Sequence, residues 1–212
     1  MKKILLSAFF ALTLCFAANA QEEDATVTDN PAEVKDTKVK SLDELKAERA
    51  ALVALVKSEE FQKRLAKSEA AKAPKEAGIA GVDALTDIVS AMLNQLKENR
   101  NMIPQLYASV TGQTIDGAAA TDLKPITPDQ MVVFTKMFVE MGTTLVKSSK
   151  ELVTLPGEIK SAGVMKGLKA LKNVAYIKNA ISSLRQEISY NSKMVKNLMD
   201  TNKLMAANTG SK

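Results

Sequence analysis

From residue 41 onward the apolar positions recur at steps of three, four and seven, the spacing of one helical face. Ser41 opens the first such segment, with Glu44 three residues on. This is a capping box: the hydroxyl takes one free backbone N–H and the carboxylate takes another. Leu45, Leu52, Val56 and Phe61 to Leu65 mark the apolar side, and Pro74 and Gly78 place the end near Ala71. A second helix starts near Gly81, with Val82, Leu85, Val89, Met92, Leu96 and Ile103 as its seam and Ile88 and Leu93 widening it. Pro104 is expected to kink or end that helix, with Leu106, Tyr107 and Val110 adding a further turn.

The third helix has the clearest start. Thr127 is the cap, Pro128 the first helical residue, Asp129 suits the dipole and Gln130 completes a second box. Phe134, Met137, Phe138, Met141, Leu145 and Leu152 form its apolar side, and Leu155-Pro156-Gly157 is read as its end. The last segment, Glu158 to about Ala207, has no proline. As one helix it would be about 75 Å long. Val164, Leu168, Leu171 and Ala175 define one stripe; Ile177, Ile181, Leu184, Ile188, Val195, Leu198 and Met205 define another. The two are out of phase near Lys172-Asn173, which predicts a stutter, kink or split near residue 173. Asn99, Asn191 and Asn202 fall at seam-like positions, where a polar side chain, if buried, can fix register or oligomer state.

The expected fold is therefore all-α, an antiparallel bundle of four long helices spanning residues 41–207, with residues 208–212 a disordered C-terminus. Thr111 to Ile126 is a long Thr-, Gly- and Ala-containing connection and a candidate recognition loop.

Ahead of the bundle, the pattern changes. Lys2 and Lys3 precede an apolar stretch, Ile4 to Ala17, and Ala18-Asn19-Ala20 supplies the small-x-small site. This is the three-part design of a secretory signal, and the apolar run is shorter than the about 20 residues of a membrane span. Cleavage after Ala20 is expected, giving an exported protein that is periplasmic or secreted. Leu14 precedes Cys15 where a lipidation site has a small residue, so lipidation is discounted. Residues 21–40 are polar and charged without periodicity, and read as a disordered acidic tail or linker.

Composition narrows the chemistry. The chain has no His, no Trp and one Cys, which lies in the signal. A Ser-His-Asp or Cys-His nucleophile and the usual zinc sites are ruled out. No phosphate-cradling glycine loop is present. The chain is read as non-catalytic, with no cofactor, no cofactor-binding residue and no metal ligand. A hydrolase built on two carboxylates is the remaining catalytic alternative. Met131, Met137 and Met141, and Met194, Met199 and Met205, are read as core fillers rather than copper ligands, since no His or Cys supports them. Asp83 and Asp87 are read as solvent-facing charges near a helix start.

Charge is uneven. Residues 157–212 carry ten Lys/Arg against three Asp/Glu. Lys160, Lys166, Lys169, Lys172 and Lys178 accompany the Val164–Ala175 stripe, forming a basic amphipathic segment suited to an anionic membrane or lipid surface. Gly163 and Gly167 add a G-x-x-x-G step. The scarcity of aromatics argues against nucleic acid, which needs stacking platforms. The leading expectation is action by macromolecular interaction, with a protein partner or self-association; membrane or lipid association through the basic segment is the alternative.

Overall fold

The computed structural model describes residues 40–121 and 126–209. The expected secretory signal at 1–20, residues 21–39 of the expected tail, residues 122–125 of the long loop and residues 210–212 lie outside the described residues.

The described residues are mostly helical, in six helices: α1 Leu42–Lys57, α2 Glu59–Ala70, α3 Ala80–Asn99, α4 Met102–Thr111, α5 Pro128–Ser161 and α6 Val164–Thr209. No β-strand occurs among them, only an isolated bridge between Gln113 and Ala119. The protein is all-α. Both predicted capping boxes form. Glu44 N–H donates to Ser41 Oγ while Ser41 N–H donates to Glu44 Oε2. Gln130 N–H donates to Thr127 Oγ1 while Thr127 N–H donates to Gln130 Oε1.

The first expected helix is divided at Ser58, whose extended backbone closes α1 and whose hydroxyl accepts from Phe61 N–H to start α2. The change of direction lets Phe61 reach the core, where its ring meets Tyr190 edge-on at 5.4 Å. The second expected helix is divided between α3 and α4, and Pro104 falls in the first turn of α4, where its missing N–H costs nothing.

Two boundaries are corrected. α5 does not end at Leu155-Pro156-Gly157 but continues to Ser161 with Pro156 inside it. Leu155 is buried, and Ile159 and Ala162 pack against the core, so the turns beyond the proline are held by tertiary contacts. The split expected near residue 173 is absent: α6 runs unbroken for 46 residues and carries helix to Thr209, past the expected limit at 207. Its buried positions form one inner seam that begins at Ala170 and continues through Asn173, Ile177, Ala180, Ile181 and Leu184. The phase mismatch has another origin. Val164, Leu168 and Leu171 are not core residues; they point outward from the opposite side of the same helix.

α6 packs against each of the other five helices. It is the central strut, and the core assembles along its inner seam with Val82, Leu85, Val89, Met92 and Leu96 of α3 and Phe138, Met141 and Leu145 of α5. Met131, Met141 and Met194 are buried in that core, and Met199 Sδ accepts from Thr135 Oγ1.

Buried polar side chains also join the strut to its neighbours, and they are not the three seam asparagines. Asn99, Asn191 and Asn202 are only half-buried. The buried asparagines are Asn173 and Asn197. Asn173 donates to Thr86 Oγ1 and to Lys75 O. Asn197 donates to Leu45 O at 2.9 Å and accepts from the buried Arg49, whose Nη1 also donates to Thr201. Asp83 is likewise not a solvated charge: its carboxylate accepts from the backbone N–H groups of Ala77, Gly78 and Ile79 and ties down the start of α3. Asp87 is exposed, as read.

Candidate functional site

The five predicted lysines lie around the α5–α6 turn. Lys160 is in the last turn of α5; Lys166, Lys169, Lys172 and Lys178 lie along the first turns of α6; all five are exposed. None makes an ion pair among the described residues. The turn itself depends on Gly163, whose φ of 86° lies in the left-handed region that side chains resist. Gly163 O then accepts from Gly167 N–H at 2.9 Å and starts the α6 ladder. The second glycine of the G-x-x-x-G step is less constrained. A methyl at Gly167 would sit 3.6 Å from Ile159 Cγ2, an ordinary contact.

At about 100° per residue, Val164, Leu168, Leu171 and Ala175 share one face of α6, opposite the buried seam. Val164 is 79% exposed, Met165 76%, Leu168 60% and Leu171 59%. On the same wheel Lys172 and Lys178 border this stripe on its two sides, with Lys169 further round. Lys166 leans away, its stem lying beside Gly78, where an added Cβ would be 3.7 Å from Lys166 Cε. The fold thus gathers an apolar stripe with basic borders on its outer surface. No helix among the described residues is long and apolar enough to cross a membrane.

A second exposed stripe runs along α5. Val132, Val139, Val146 and Val153 follow one another at seven-residue steps and are 43%, 61%, 58% and 78% exposed. They are absent from the apolar face read from the sequence, which follows the larger Phe134, Met137, Phe138 and Met141. The signal that finds them is their strict heptad spacing. Three residues after each of the first three valines stand Thr135, Gly142 and Ser149, small and half-buried, which leaves the stripe open to close approach.

The interior offers less. One cleft of about 220 Å³ is lined by Lys67, Ser68, Tyr176 and Asn179 among others, and a second of about 110 Å³ by Phe61, Arg100, Glu187 and Tyr190. Both fall below the roughly 300 Å³ at which small-molecule pockets begin. At the second cleft the Arg100 guanidinium engages Glu69 through Nη1 and Glu187 through Nη2, the latter at 3.2 Å. Burial pushes the Glu187 carboxyl above its ordinary value, opposed by the charge of Arg100. Burial also raises the Tyr190 hydroxyl to about 12. This is the place where two carboxylates share one partner, and that partner holds both. Among the described residues no three His, Cys, Asp or Glu side chains converge as a metal site would require.

The candidate recognition loop is partly described. Gly112, with φ of 71°, caps α4, and a tight hairpin follows in which Thr114 N–H donates to Ala118 O and Ala120 N–H to Gly112 O. Asp116 pairs with Lys57 at 3.0 Å, joining the loop to the end of α1. Compared with known protein families, curated proteins and solved structures, the chain matches none of them.

Proposed function

We propose that this is an exported, non-catalytic helical protein that works in the cell envelope or outside the cell by binding another macromolecule. The observation that carries this reading is the pair of outward apolar stripes, on α5 and on the start of α6, which lie outside the molecule's own core cluster. Large apolar side chains grouped on a surface favour removal from water by about 25 cal/mol per Å². The α5 valines suit a partner helix, from another protein or a second copy, because a heptad stripe beside small residues presents the geometry of a helix–helix seam. In the fold that accompanies this reading, α1 with α2 and α3 with α4 are two broken rods, α5 and α6 are two continuous ones, and adjacent rods run antiparallel.

The absence of His from the whole chain and of Cys after Ala20 supports the non-catalytic part of the reading. The export part rests on residues 1–20 and requires the mature chain to begin at Gln21, which mass spectrometry of the protein from its producing cell reads directly. The interaction part is tested by a photo-crosslinking residue placed at Val139 or Val146, with exposed Lys63 on α2 as the control position. Crosslinks to a protein or a second copy are expected from the stripe positions. A yield no higher than at Lys63 overturns the interaction reading, and turnover in a broad hydrolase and transferase screen overturns the non-catalytic one.

A further inference from the structure

From Ile159 to Gln186 the chain contains no acidic residue, while Lys160, Lys166, Lys169, Lys172, Lys178 and Arg185 all fall within that stretch. It begins in the last turn of α5, passes through the Gly163 turn and covers the first half of α6. The buried side of this stretch is mostly apolar: Ala170, Ile177, Ala180, Ile181 and Leu184, with Asn173 and Ser183 the polar exceptions. Its outer side carries a second apolar set that no core packing explains, since Val164, Met165, Leu168 and Leu171 are each more than half exposed. Helix α6 thus turns one apolar face outward over its first turns and another inward from Ala170 onward. The inner face is covered by α3 and α5; the outer meets water beside lysines that have no carboxylate partner among the described residues.

We propose that the outer face of the first turns of α6 lies on a bilayer surface bearing anionic headgroups, with Val164, Leu168 and Leu171 in the acyl boundary and Lys169, Lys172 and Lys178 among the phosphates. The proposal rests on the reading that the exposed apolar stripes are binding surfaces, and it names the partner of one of them. Charge complementarity selects that partner. A protein groove that receives an amphipathic helix needs the helix to enter it, whereas this segment is already fixed on the outside of a packed molecule. A planar surface of one charge sign requires only that an apolar stripe and its basic borders face outward together, as they do here. Nucleic acid fits poorly, because the one aromatic in the stretch, Tyr176, is half-buried with its hydroxyl 3.0 Å from Ser90 Oγ. The segment rests on the surface and does not span it, since no described helix is apolar enough over sufficient length.

The test is co-flotation of the mature chain with vesicles of phosphatidylglycerol and phosphatidylcholine, against phosphatidylcholine alone. Binding is expected to the anionic vesicles and to fall steeply as salt shrinks the Debye length from about 30 Å to about 3 Å. Each lysine beside an anionic leaflet strengthens binding about fivefold, so the combined Lys169→Glu, Lys172→Glu, Lys178→Glu variant is expected to lose more than about a hundredfold. Leu168→Ser with Leu171→Ser is expected to abolish flotation. All five positions are exposed, and circular dichroism confirms that the variants fold. The chain has no Trp, so Leu168→Trp supplies a single reporter whose emission is expected to shift to the blue on anionic vesicles. No flotation on anionic vesicles at low salt, equal flotation on neutral ones, or flotation indifferent to both sets of variants overturns the proposal. Crosslinks from Val139 that persist while flotation fails would sink the membrane assignment alone; loss of both would sink the broader interaction reading as well.

Discussion

Arg49 shows how much one side chain organises. It is 7% exposed, a charge that burial alone would make costly. Asn197 and Thr201 of α6 accept from its Nη1, and Asn197 in turn donates to Leu45 O and Glu48 Oε2. Removing the amide leaves Leu45 O without that donor and Arg49 with one fewer acceptor. Asn197→Ala is expected to cost about 1–3 kcal/mol in urea unfolding, the penalty of buried polar groups left short of a partner. Glu187 gives a pH-dependent counterpart. Its carboxyl is raised above the ordinary 4.5, first by burial and against the pull of Arg100. A raised carboxyl favours the fold in its protonated form, so its contribution is complete below about pH 4.5 and fades as pH rises through the raised value. Urea unfolding of the native chain and of Glu187→Gln at a series of pH values tests this. The native chain is expected to lose stability relative to the variant on going from pH 4 to pH 7, and parallel curves would refute it. The residues behind both predictions were not legible in the sequence. An arginine and an asparagine 148 positions apart carry no local mark of their pairing, and burial is a property of what surrounds a residue.

Helix α6 makes the same point at the scale of an element. Its periodicity predicts helix throughout, and helix is what forms. The two stripes out of phase suggest a break because each is taken for core. A helix can instead be apolar on two faces, and only its neighbours determine which one is covered. The distinction has a measurable consequence. Leu184, fully buried, is expected to cost about 2–5 kcal/mol when changed to Ala. Leu168, 60% exposed, is expected to change stability by no more than about 0.5 kcal/mol under the same substitution. Equal costs in thermal or urea unfolding would contradict the assignment of the two faces. α5 offers a parallel case. Local rules stop it at Pro156, where a proline inside a helix costs about 3 kcal/mol. Burial of Leu155 on one side and packing of Ile159 on the other carry the helix through to Ser161. Its start at Thr127, by contrast, is legible because a capping box is satisfied within four consecutive residues.

For the described residues taken together, every other helix leans on the long α6. With no Cys among these residues to staple any two helices, packing joins them, chiefly along that strut and also between α3 and α5. Unfolding is therefore expected to be a single transition, with far-ultraviolet circular dichroism and tyrosine fluorescence superimposing across a urea titration. Two resolved steps would mean that α1 and α2 come away from the strut separately.

The sequence alone determined what depends on near neighbours: helical class, both capping boxes, the α3 seam of Val82 to Leu96, and the missing chemistries that follow from having no His. Those follow from spacing and side-chain type, which a linear chain displays in full. The tertiary structure decided what depends on distant neighbours: which face of α6 is covered, which asparagines are buried, that α5 passes Pro156, and that Lys172 and Lys178 border an uncovered apolar stripe. Burial is a relation between segments far apart in the chain, so it exists only once they have packed.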